Sequence, residues 1–244
     1  MRVMFEDEVR NWPRTSASGD GSPCMSCLVD LHFSCNVRCR GCDPGGGVAL
    51  TGSAARRLLD GVVERAGEHG ASQLDLAFFG GEPLLEANLV LELSTQLRRE
   101  CEYERIGYAG HLITNGTLLG AIGPRRLAGA GLRRIQVTLE GGPREHDQRR
   151  RMRDGGGSWR RIVEGLKRIR GVAEVVVRSN IDRLTPDVED LLGALDGEGL
   201  LGPDGVVALL VARPAPYAEQ ARDLLKIFPL LRERASETES RLVH

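Results

Sequence analysis

Apolar and polar residues alternate along the chain in two periods, which predict alternating strands and helices from residue 28 onward. Short apolar runs are typical of buried strands, whereas apolar residues three and four positions apart are typical of helices that bury one face. The predicted strands are residues 28–33, 73–79, 111–114, 134–139, 172–177 and 206–211. Their spacing leaves room for a helix after most of them.

The helical period appears in the segments between these strands. A helix that begins near Thr51 places one set of apolar residues on one face: Ala55, Leu58, Leu59, Val62, Val63 and Ala66. A second helix is predicted over residues 86–99, where leucines recur at every fourth position: Leu85, Leu89, Leu93 and Leu97. Further helices are predicted at 124–130, after the cap Ser158, after Thr185-Pro186 and at 217–228. The segment between the fourth predicted strand and Ser158 is interpreted as a Gly- and Arg-rich loop.

Six successive strand–helix units predict a parallel sheet, because each helix returns the chain to the same end of the sheet. Six units are too few for a closed eight-stranded barrel, so the predicted fold class is α/β, a partial (β/α)6 TIM-like barrel. The length of 244 residues suits one domain. We expect an irregular N-terminal arm over 1–27, the barrel core over 28–235 and a C-terminal tail over 236–244.

Charge and hydropathy exclude some partners. The formal net charge of −1 gives no overall field that would concentrate nucleic acid, so no nucleic-acid partner is expected. The sequence lacks an apolar run that could span a bilayer, and residues 1–14 lack the apolar centre of a secretion signal. We therefore expect a cytoplasmic protein without a membrane partner, whose six cysteines are metal ligands or thiols rather than disulfides.

The densest candidate chemistry is the C-x3-C-x2-C array of Cys35, Cys39 and Cys42, which follows the first predicted strand. Three thiolates can hold three irons of a cubane iron–sulfur cluster and leave the fourth iron open to a ligand. Three buried structural thiols or a zinc site completed by a distant residue are the alternatives. The pair Cys24 and Cys27 suits half of a metal site or a redox-sensitive or structural pair, and Cys101 has no assigned role.

Other candidate residues follow the carboxyl ends of the predicted strands, where parallel α/β sheets place their sites. Gly80-Gly81-Glu82-Pro83 pairs a backbone that permits close approach with a carboxylate that can accept from an ammonium group; the alternative is a turn before a helix. Asn115 lies in Thr-Asn-Gly-Thr, itself a common turn, and Glu140 lies in Thr-Leu-Glu-Gly-Gly-Pro. Arg178 and Asn180 end the fifth strand, and Arg can bind a carboxylate through two parallel donors.

These motifs together resemble the radical S-adenosylmethionine (radical SAM) superfamily, and in particular the core of its peptide-modifying members that carry SPASM or twitch domains. The block from His146-Asp147-x-x-Arg150 to Gly-Gly-Gly-Ser158 is similar to that subgroup, although it also suits an Arg-rich loop before a helix. The resemblance covers residues 28 to about 213. It implies a 4Fe-4S cluster on Cys35, Cys39 and Cys42, with S-adenosylmethionine on the fourth iron. It further implies cofactor contacts from Gly80, Gly81, Glu82, Pro83, Asn115, Glu140, Arg178 and Asn180.

The resemblance implies an enzyme that reductively cleaves S-adenosylmethionine to a 5′-deoxyadenosyl radical, which takes hydrogen from a substrate. The substrate expected first is a ribosomally made precursor peptide, modified by crosslinking, epimerisation or oxidation, with a flavodoxin or ferredoxin as electron donor. Three departures leave alternatives open: Glu140 replaces the commoner Asp, Gly41 replaces a frequent aromatic residue, and no cysteine follows Cys101. The alternatives are a small-molecule or glycyl-radical-activating enzyme of the same chemistry, and a metal-binding protein without catalysis.

Overall fold

The computed structural model describes residues 3–5, 23–31, 34–39, 42, 52–180, 188–202 and 204–212. The strands are β1 (Val3–Phe5), β2 (Cys24–Asp30), β3 (Val37–Cys39), β4 (Gln73–Phe79), β5 (Gly107–Thr114), β6 (Leu132–Thr138), β7 (Arg150–Met152), β8 (Glu174–Asn180) and β9 (Val206–Ala212). The helices are α1 (Gly52–Glu68), α2 (Ala87–Tyr103), α3 (Leu119–Ile122), α4 (Pro124–Gly129), α5 (Pro143–Arg149), α6 (Trp159–Arg168) and α7 (Val188–Gly197). A 3₁₀ turn, Pro83–Glu86, precedes α2.

The chain divides into two compact units. The first unit comprises Met1–Cys35, Asp43–Thr114 and Ile122–Ile135, and the second comprises Asn36–Cys42, Asn115–Ala121 and Gln136–His244. Strand β6 begins in the first unit and ends in the second. Each unit carries part of the candidate chemistry, so each is described in its own right.

The first unit is a sheet covered by long helices. Strand β1 pairs antiparallel with β2, and β2, β4 and β5 pair in parallel, with Leu28 opposite Ala77 and Ala77 opposite His111. Helix α2 packs on α1 and on β5. Because parallel strands are covered on both faces, β4 is buried from Leu74 to Phe78 without the alternation of a half-exposed strand. The core of the first unit consists of fully buried side chains: Leu59, Leu74, Leu76, Phe78, Leu93, Leu97 and Leu112.

The second unit combines a parallel strand pair with a small antiparallel one. Strands β8 and β9 pair in parallel, and β3 pairs antiparallel with β7, which brings Val37 opposite Met152. Helices α5 and α6 pack together, and α5 packs on β7. Its core is formed by Val137, Leu139, Ile162, Leu166, Val177, Leu191 and Leu195, all nearly or fully buried.

The predicted α/β class with a parallel sheet is confirmed, and each predicted strand has a counterpart in β2, β4, β5, β6, β8 or β9. The first predicted strand was misplaced, because β2 begins at Cys24 and ends at Asp30. Its parallel partner Gln73–Phe79 pairs residue for residue from Cys24 onward, although Met25 and Ser26 form no continuous apolar run. Part of the predicted irregular arm is therefore strand, and β1 adds a second strand to it.

The loop predicted between the fourth strand and Ser158 was also wrong in part, since this segment contains α5 and β7. Proline at the first helical position suits α5, but the partner of β7 is β3, more than a hundred residues earlier in the chain, and local sequence does not reveal that pairing. The helix predicted at 217–228, the tail 236–244, Thr51, Thr185 and Pro186 lie outside the described residues. None of the helices in the described segments has both the length and the apolar character needed to cross a bilayer.

Candidate active site

The cysteine array lies on and beside strand β3. Cys35 and Cys39 are partly exposed and Cys42 is exposed, and the Cys42 amide donates to the Cys39 carbonyl over 3.3 Å. All six cysteines of the chain are described, and they are thiols rather than disulfides. In this conformation no group of three or more His, Cys, Asp or Glu side chains among the described residues is arranged to hold a metal ion. The array thus fits an iron–sulfur cluster by its donor chemistry, three accessible thiols within eight residues, and not by a preassembled geometry.

The other cysteines are placed differently. Cys24 and Cys27 both lie in β2, three positions apart, so strand alternation directs their side chains to opposite faces of the sheet. That placement favours the structural interpretation of this pair over a shared metal ion. Cys101 is fully buried in α2, where burial and then the charge of Glu100 raise its thiol pKa to about 11. It is a core residue with little thiolate at neutral pH.

Glu82 occupies the turn between β4 and α2. Gly80 has a φ of 140°, a conformation that a side chain would strain, and Glu82 then caps the 3₁₀ turn. Its carboxylate oxygen Oε1 accepts from the Leu84 amide over 3.0 Å and from the Thr114 hydroxyl over 2.7 Å, and the residue is 0% exposed. The Glu82 amide donates to the Ser34 carbonyl over 2.8 Å. Within the first unit, Glu82 therefore joins the turn to the end of β5 and to the residue before Cys35.

Asn115 belongs to the second unit and contacts the residue after Cys35. Its Nδ2 donates to Asn36 Oδ1 over 2.8 Å, while its Oδ1 accepts from the Thr117 amide over 3.0 Å and the Thr117 hydroxyl over 2.7 Å. Asn36 Nδ2 in turn donates to Thr117 Oγ1 over 2.9 Å. Asn115 is 5% exposed. The segment for which the resemblance implies a cofactor contact is thus hydrogen-bonded to Asn36, inside the cysteine array.

Glu140 is the centre of a cluster of charged and polar side chains. Its Oε1 accepts from Arg150 Nη1 over 3.3 Å and from Asn180 Nδ2 over 3.0 Å, and its Oε2 lies 3.8 Å from Arg149 Nη1. Arg178 Nε donates to Asn180 Oδ1 over 3.2 Å. Burial, and then the charge of Arg150, lowers the pKa of Arg178. Three guanidinium groups and one carboxylate leave an excess of positive charge in a place that is mostly withdrawn from water.

His146 connects Glu140 and Arg150 of this cluster through hydrogen bonds that end at their backbone groups. The Glu140 amide donates to Nδ1 over 3.2 Å, so Nδ1 is the acceptor and the proton is on Nε2. Nε2 then donates to Ser158 Oγ over 2.9 Å, and Ser158 Oγ donates to the Arg150 carbonyl over 2.5 Å. His146 is 0% exposed, and burial, followed by the charge of Arg150, lowers its pKa to about 3. A neutral imidazole thus holds Glu140 and Arg150 in place.

The predicted capping role of Ser158 was wrong in detail. Ser158 precedes α6, but its hydroxyl makes no capping hydrogen bond. Asp147 caps the helix instead, because its Oδ1 accepts from the amides of Ser158 and Trp159, both over 2.8 Å. A Cβ at Gly157 would lie 2.1 Å from Asp147 Oδ2, so this approach needs glycine. The residues from His146 to Ser158 thus form hydrogen bonds that stabilise the second unit.

The structure brings three predicted residues together, Glu140, Arg178 and Asn180. Glu82, which follows Gly80 and Gly81, belongs to a hydrogen-bond network of the first unit. Asn115 belongs to a separate hydrogen-bond network of the second unit. The sequence analysis missed Asn36, Thr117 and Arg149. Their signal was position alone: Asn36 lies inside the cysteine array, Thr117 ends the Thr-Asn-Gly-Thr segment, and Arg149 precedes the arginine of the His-Asp-x-x-Arg motif.

Comparison with known proteins defines the class. The family model of the radical SAM superfamily matches residues 31–190, more than half of the chain, and that range contains every residue predicted to bind the cluster or S-adenosylmethionine. The chain therefore belongs to the radical SAM superfamily.

Two curated relatives are each named GTP 3′,8-cyclase. The protein of Moorella thermoacetica is 37% identical over 115 residues, which is 46% of this chain and 33% of that protein. The protein of Rhodococcus opacus is 31% identical over 164 residues, 58% of this chain and 42% of that protein. The chain thus matches less than half the length of either relative.

Solved structures share the fold at low sequence identity. Native anSMEcpe with bound AdoMet and Cp18Cys peptide superposes with a TM-score of 0.63 at 17% identity, over 77% of this chain and 50% of that one. Methylornithine synthase (PylB) superposes with a TM-score of 0.52 at 15% identity, over 79% of this chain and 53% of that one. Together with the family match, this likeness confirms the predicted fold class, the α/β fold of a partial TIM-like barrel.

Proposed function

We propose that this protein cleaves S-adenosylmethionine reductively at a 4Fe-4S cluster held by Cys35, Cys39 and Cys42. The observation that carries the proposal is the family match over 31–190, which spans the cysteine array and all the other proposed contacts. When bound, the cluster and S-adenosylmethionine would supply one-electron cleavage of a carbon–sulfur bond and a radical able to remove hydrogen from a substrate. An electron donor such as flavodoxin or ferredoxin is part of the proposal.

The residues of the first unit would shape the place where the methionyl amine binds. Glu82 Oε1 accepts from Leu84 and Thr114, so this buried carboxylate holds the turn that follows Gly80 and Gly81. Because glycine has no side chain, the polar backbone groups of Gly80 and Gly81 can approach a ligand closely. Pro83, at the first position of the 3₁₀ turn, limits the conformations of that backbone.

The cluster around Glu140 suits the negatively charged end of the same cofactor. Arg178 and Asn180 would bind the methionyl carboxylate and the sugar, with Glu140 holding Asn180 and Arg150 in place. The excess of positive charge there supports this assignment, because a partly buried guanidinium group gains most from an anionic partner.

For the substrate, we propose a ribosomally synthesised precursor peptide. The support is the resemblance of residues 138–158 to peptide-modifying members of the superfamily, together with a shared fold with anSMEcpe, a protein solved with a bound peptide. In this stretch, His146 donates to the Ser158 hydroxyl and Asp147 accepts from the Ser158 amide, so these three residues also stabilise the fold.

A second candidate is a small anionic molecule such as a nucleotide. Two curated relatives are named for a reaction of GTP, and the arginines around Glu140 suit a phosphate as well as a carboxylate. Activation of a glycyl-radical enzyme would use the same cofactor chemistry on a protein partner.

Anaerobic reconstitution with iron and sulfide tests the common part of the proposal. We expect a brown protein with about four irons per chain that forms 5′-deoxyadenosine from S-adenosylmethionine and dithionite, and a colourless, inactive variant when Cys35, Cys39 and Cys42 are replaced by Ala. A Cys101→Ala variant is the matched control and should keep its iron. A wild-type protein that binds zinc and forms no 5′-deoxyadenosine would refute the proposal.

The substrate is decided by mass spectrometry with two probes. GTP is incubated with the reconstituted enzyme and a reductant, and, separately, any short peptide encoded beside the gene is treated the same way. A mass change in the peptide supports the first candidate, and conversion of GTP supports the second.

A further inference from the structure

Asn36 is bound by its side chain at both ends of the amide. Its Oδ1 accepts from Asn115 and its Nδ2 donates to Thr117, and the latter two residues are joined to each other by two more hydrogen bonds. All three residues belong to the second unit, and Asn36 directly follows Cys35 in the chain. A closed three-residue network of this kind leaves its members few other orientations.

The residues that hold Asn36 are themselves rigidly placed. Gly116, between Asn115 and Thr117, has a φ of 81°, and a Cβ there would lie 2.9 Å from Val137 Cγ1 and 3.0 Å from Ile162 Cγ2. Both neighbours are core residues of the second unit, buried to 0% and 1% exposure. The turn that carries Asn115 and Thr117 is thus packed against that core, so it is a firm support for a loop.

The backbone around Asn36 is held independently. Its carbonyl accepts from the Arg153 amide over 3.0 Å, and the following residues Val37–Cys39 pair with Arg150–Met152. Strand β3 is three residues long, and so short a pair is weak by itself. The side-chain network therefore supplies fixation that the short strand lacks.

We propose that Asn115 and Thr117 are positioning residues for the iron–sulfur cluster: they hold the cysteine loop through Asn36, before the metal arrives. This inference rests on the proposed function, because it assumes that the loop receives a cluster. It assigns Asn115 a different task from the cofactor contact that the resemblance implies, since both ends of its amide are engaged within the protein. Fixing the loop in advance lowers the conformational entropy lost when three thiolates bind one cluster.

The test compares Thr117→Val with Thr117→Ser, because valine removes the hydroxyl at nearly constant volume whereas serine keeps it. Asn115→Ala is the second variant. Ser94→Ala is the matched control: Ser94 is also fully buried, and its hydroxyl bonds the Ala130 carbonyl over 2.7 Å and lies 2.9 Å from the Tyr108 hydroxyl, both in the first unit. The Ser94→Ala variant thus loses comparable hydrogen bonds at a place away from the cysteine array.

Two readouts are taken. In the metal-free protein, hydrogen exchange of the amides of residues 36–39 should be several-fold faster in Thr117→Val and Asn115→Ala than in wild type, Thr117→Ser or Ser94→Ala. After anaerobic reconstitution, iron per chain and the rate of cluster incorporation should fall several-fold in the same two variants. The KM for S-adenosylmethionine, measured on 5′-deoxyadenosine formation per loaded cluster, should stay near the wild-type value.

Unchanged exchange together with unchanged iron loading in both variants would overturn the inference. So would full iron loading with a raised KM, which would make Asn115 a cofactor contact. If wild type itself takes up no iron while the exchange pattern is as expected, the proposed function fails and the positioning role fails with it. If wild type loads iron and the variants load equally well, the positioning role fails alone.

Discussion

Two glutamates follow strands of this protein, Glu82 after β4 and Glu140 after β6, and their carboxylates have different partners. Glu82 is 0% exposed and bonds neutral groups, the Leu84 amide and the Thr114 hydroxyl. The side chain of Glu140 is 12% exposed and faces Arg149, Arg150 and an amide. One carboxylate shapes the backbone of a turn, and the other balances a group of cations.

A position at the end of a strand therefore does not determine whether a carboxylate binds neutral or positively charged groups. Neutral donors fix geometry, so a change at Glu82 should act on folding and be insensitive to ions. Guanidinium partners carry charge, so a change at Glu140 should respond to added anions.

Glu82→Ala should lower the free energy of unfolding by about 3 kcal/mol, because two buried donors lose their acceptor at about 1–3 kcal/mol each. Glu82→Gln keeps an acceptor oxygen and should cost about 1 kcal/mol. Urea unfolding measures both. Glu86→Ala is the control, since Glu86 is exposed in the same turn and its side chain makes no cap hydrogen bond. Equal losses in the Glu82 and Glu86 variants would remove the structural role of Glu82.

The Glu140 side of the comparison should also depend on pH through His146. Burial lowers the pKa of this histidine from 6.5 to about 3, so its stabilising contribution is complete above pH 6.5 and is lost as pH falls toward 3. A shift of one pKa unit corresponds to about 1.4 kcal/mol, which predicts a loss of about 2 kcal/mol at pH 5. Urea unfolding at several pH values measures this slope.

His146→Gln should flatten that slope while lowering stability at neutral pH, because its hydrogen bonds to Glu140 and Ser158 are disturbed. His69→Gln, at the exposed histidine directly after α1, should keep the slope of wild type. A slope that survives His146→Gln would show that another group causes it.

Glu140→Ala should cost about 1.5 kcal/mol at low salt, since it leaves mostly buried arginines without their carboxylate. Sodium sulfate stabilises proteins in general, so the quantity to compare is the difference between variant and wild type. We expect sulfate to reduce that difference for Glu140→Ala, because the anion takes the place of the carboxylate, and to leave it unchanged for Glu82→Ala. Parallel behaviour of the two variants would erase the contrast.

Asn180→Ala should have the smallest effect, about 1 kcal/mol, because Glu140 keeps its bond to Arg150 when the neutral amide is lost. In a double-mutant cycle with Glu140→Ala, we expect a coupling of about 0.5 kcal/mol or more, as for residues in direct contact. Additive losses would mean that Asn180 acts outside the Glu140 cluster.

Much of the first unit was predictable from sequence because its signals are local. The apolar run of β4 and the helical stripes of α1 and α2 identify a covered parallel strand and its helices without knowledge of distant partners. The cysteine array and the Gly-Gly-Glu-Pro turn were likewise visible as short motifs. What sequence did not reveal at Glu82 is that its carboxylate is used by the protein itself.

The second unit was less predictable because its decisive contacts are distant in sequence. Strand β7 is recognisable only beside β3, and Asn36 acquires its partners only when the loop after β5 is placed next to it. Ser158 looked like a helix cap by position, yet Asp147 supplies the cap from eleven residues earlier. Residue type predicted which side chains are polar and important, but not which atoms they bond.

The pairing of β3 with β7 restricts how this chain can change in length. Val37 and Met152 are both buried, while Arg38 and Arg151 are both exposed. Removing one residue from within β7 would shift this alignment and force an arginine to the inner side. Insertions and deletions in natural variants should therefore accumulate at exposed turns such as 104–105, and avoid the strands β3 and β7.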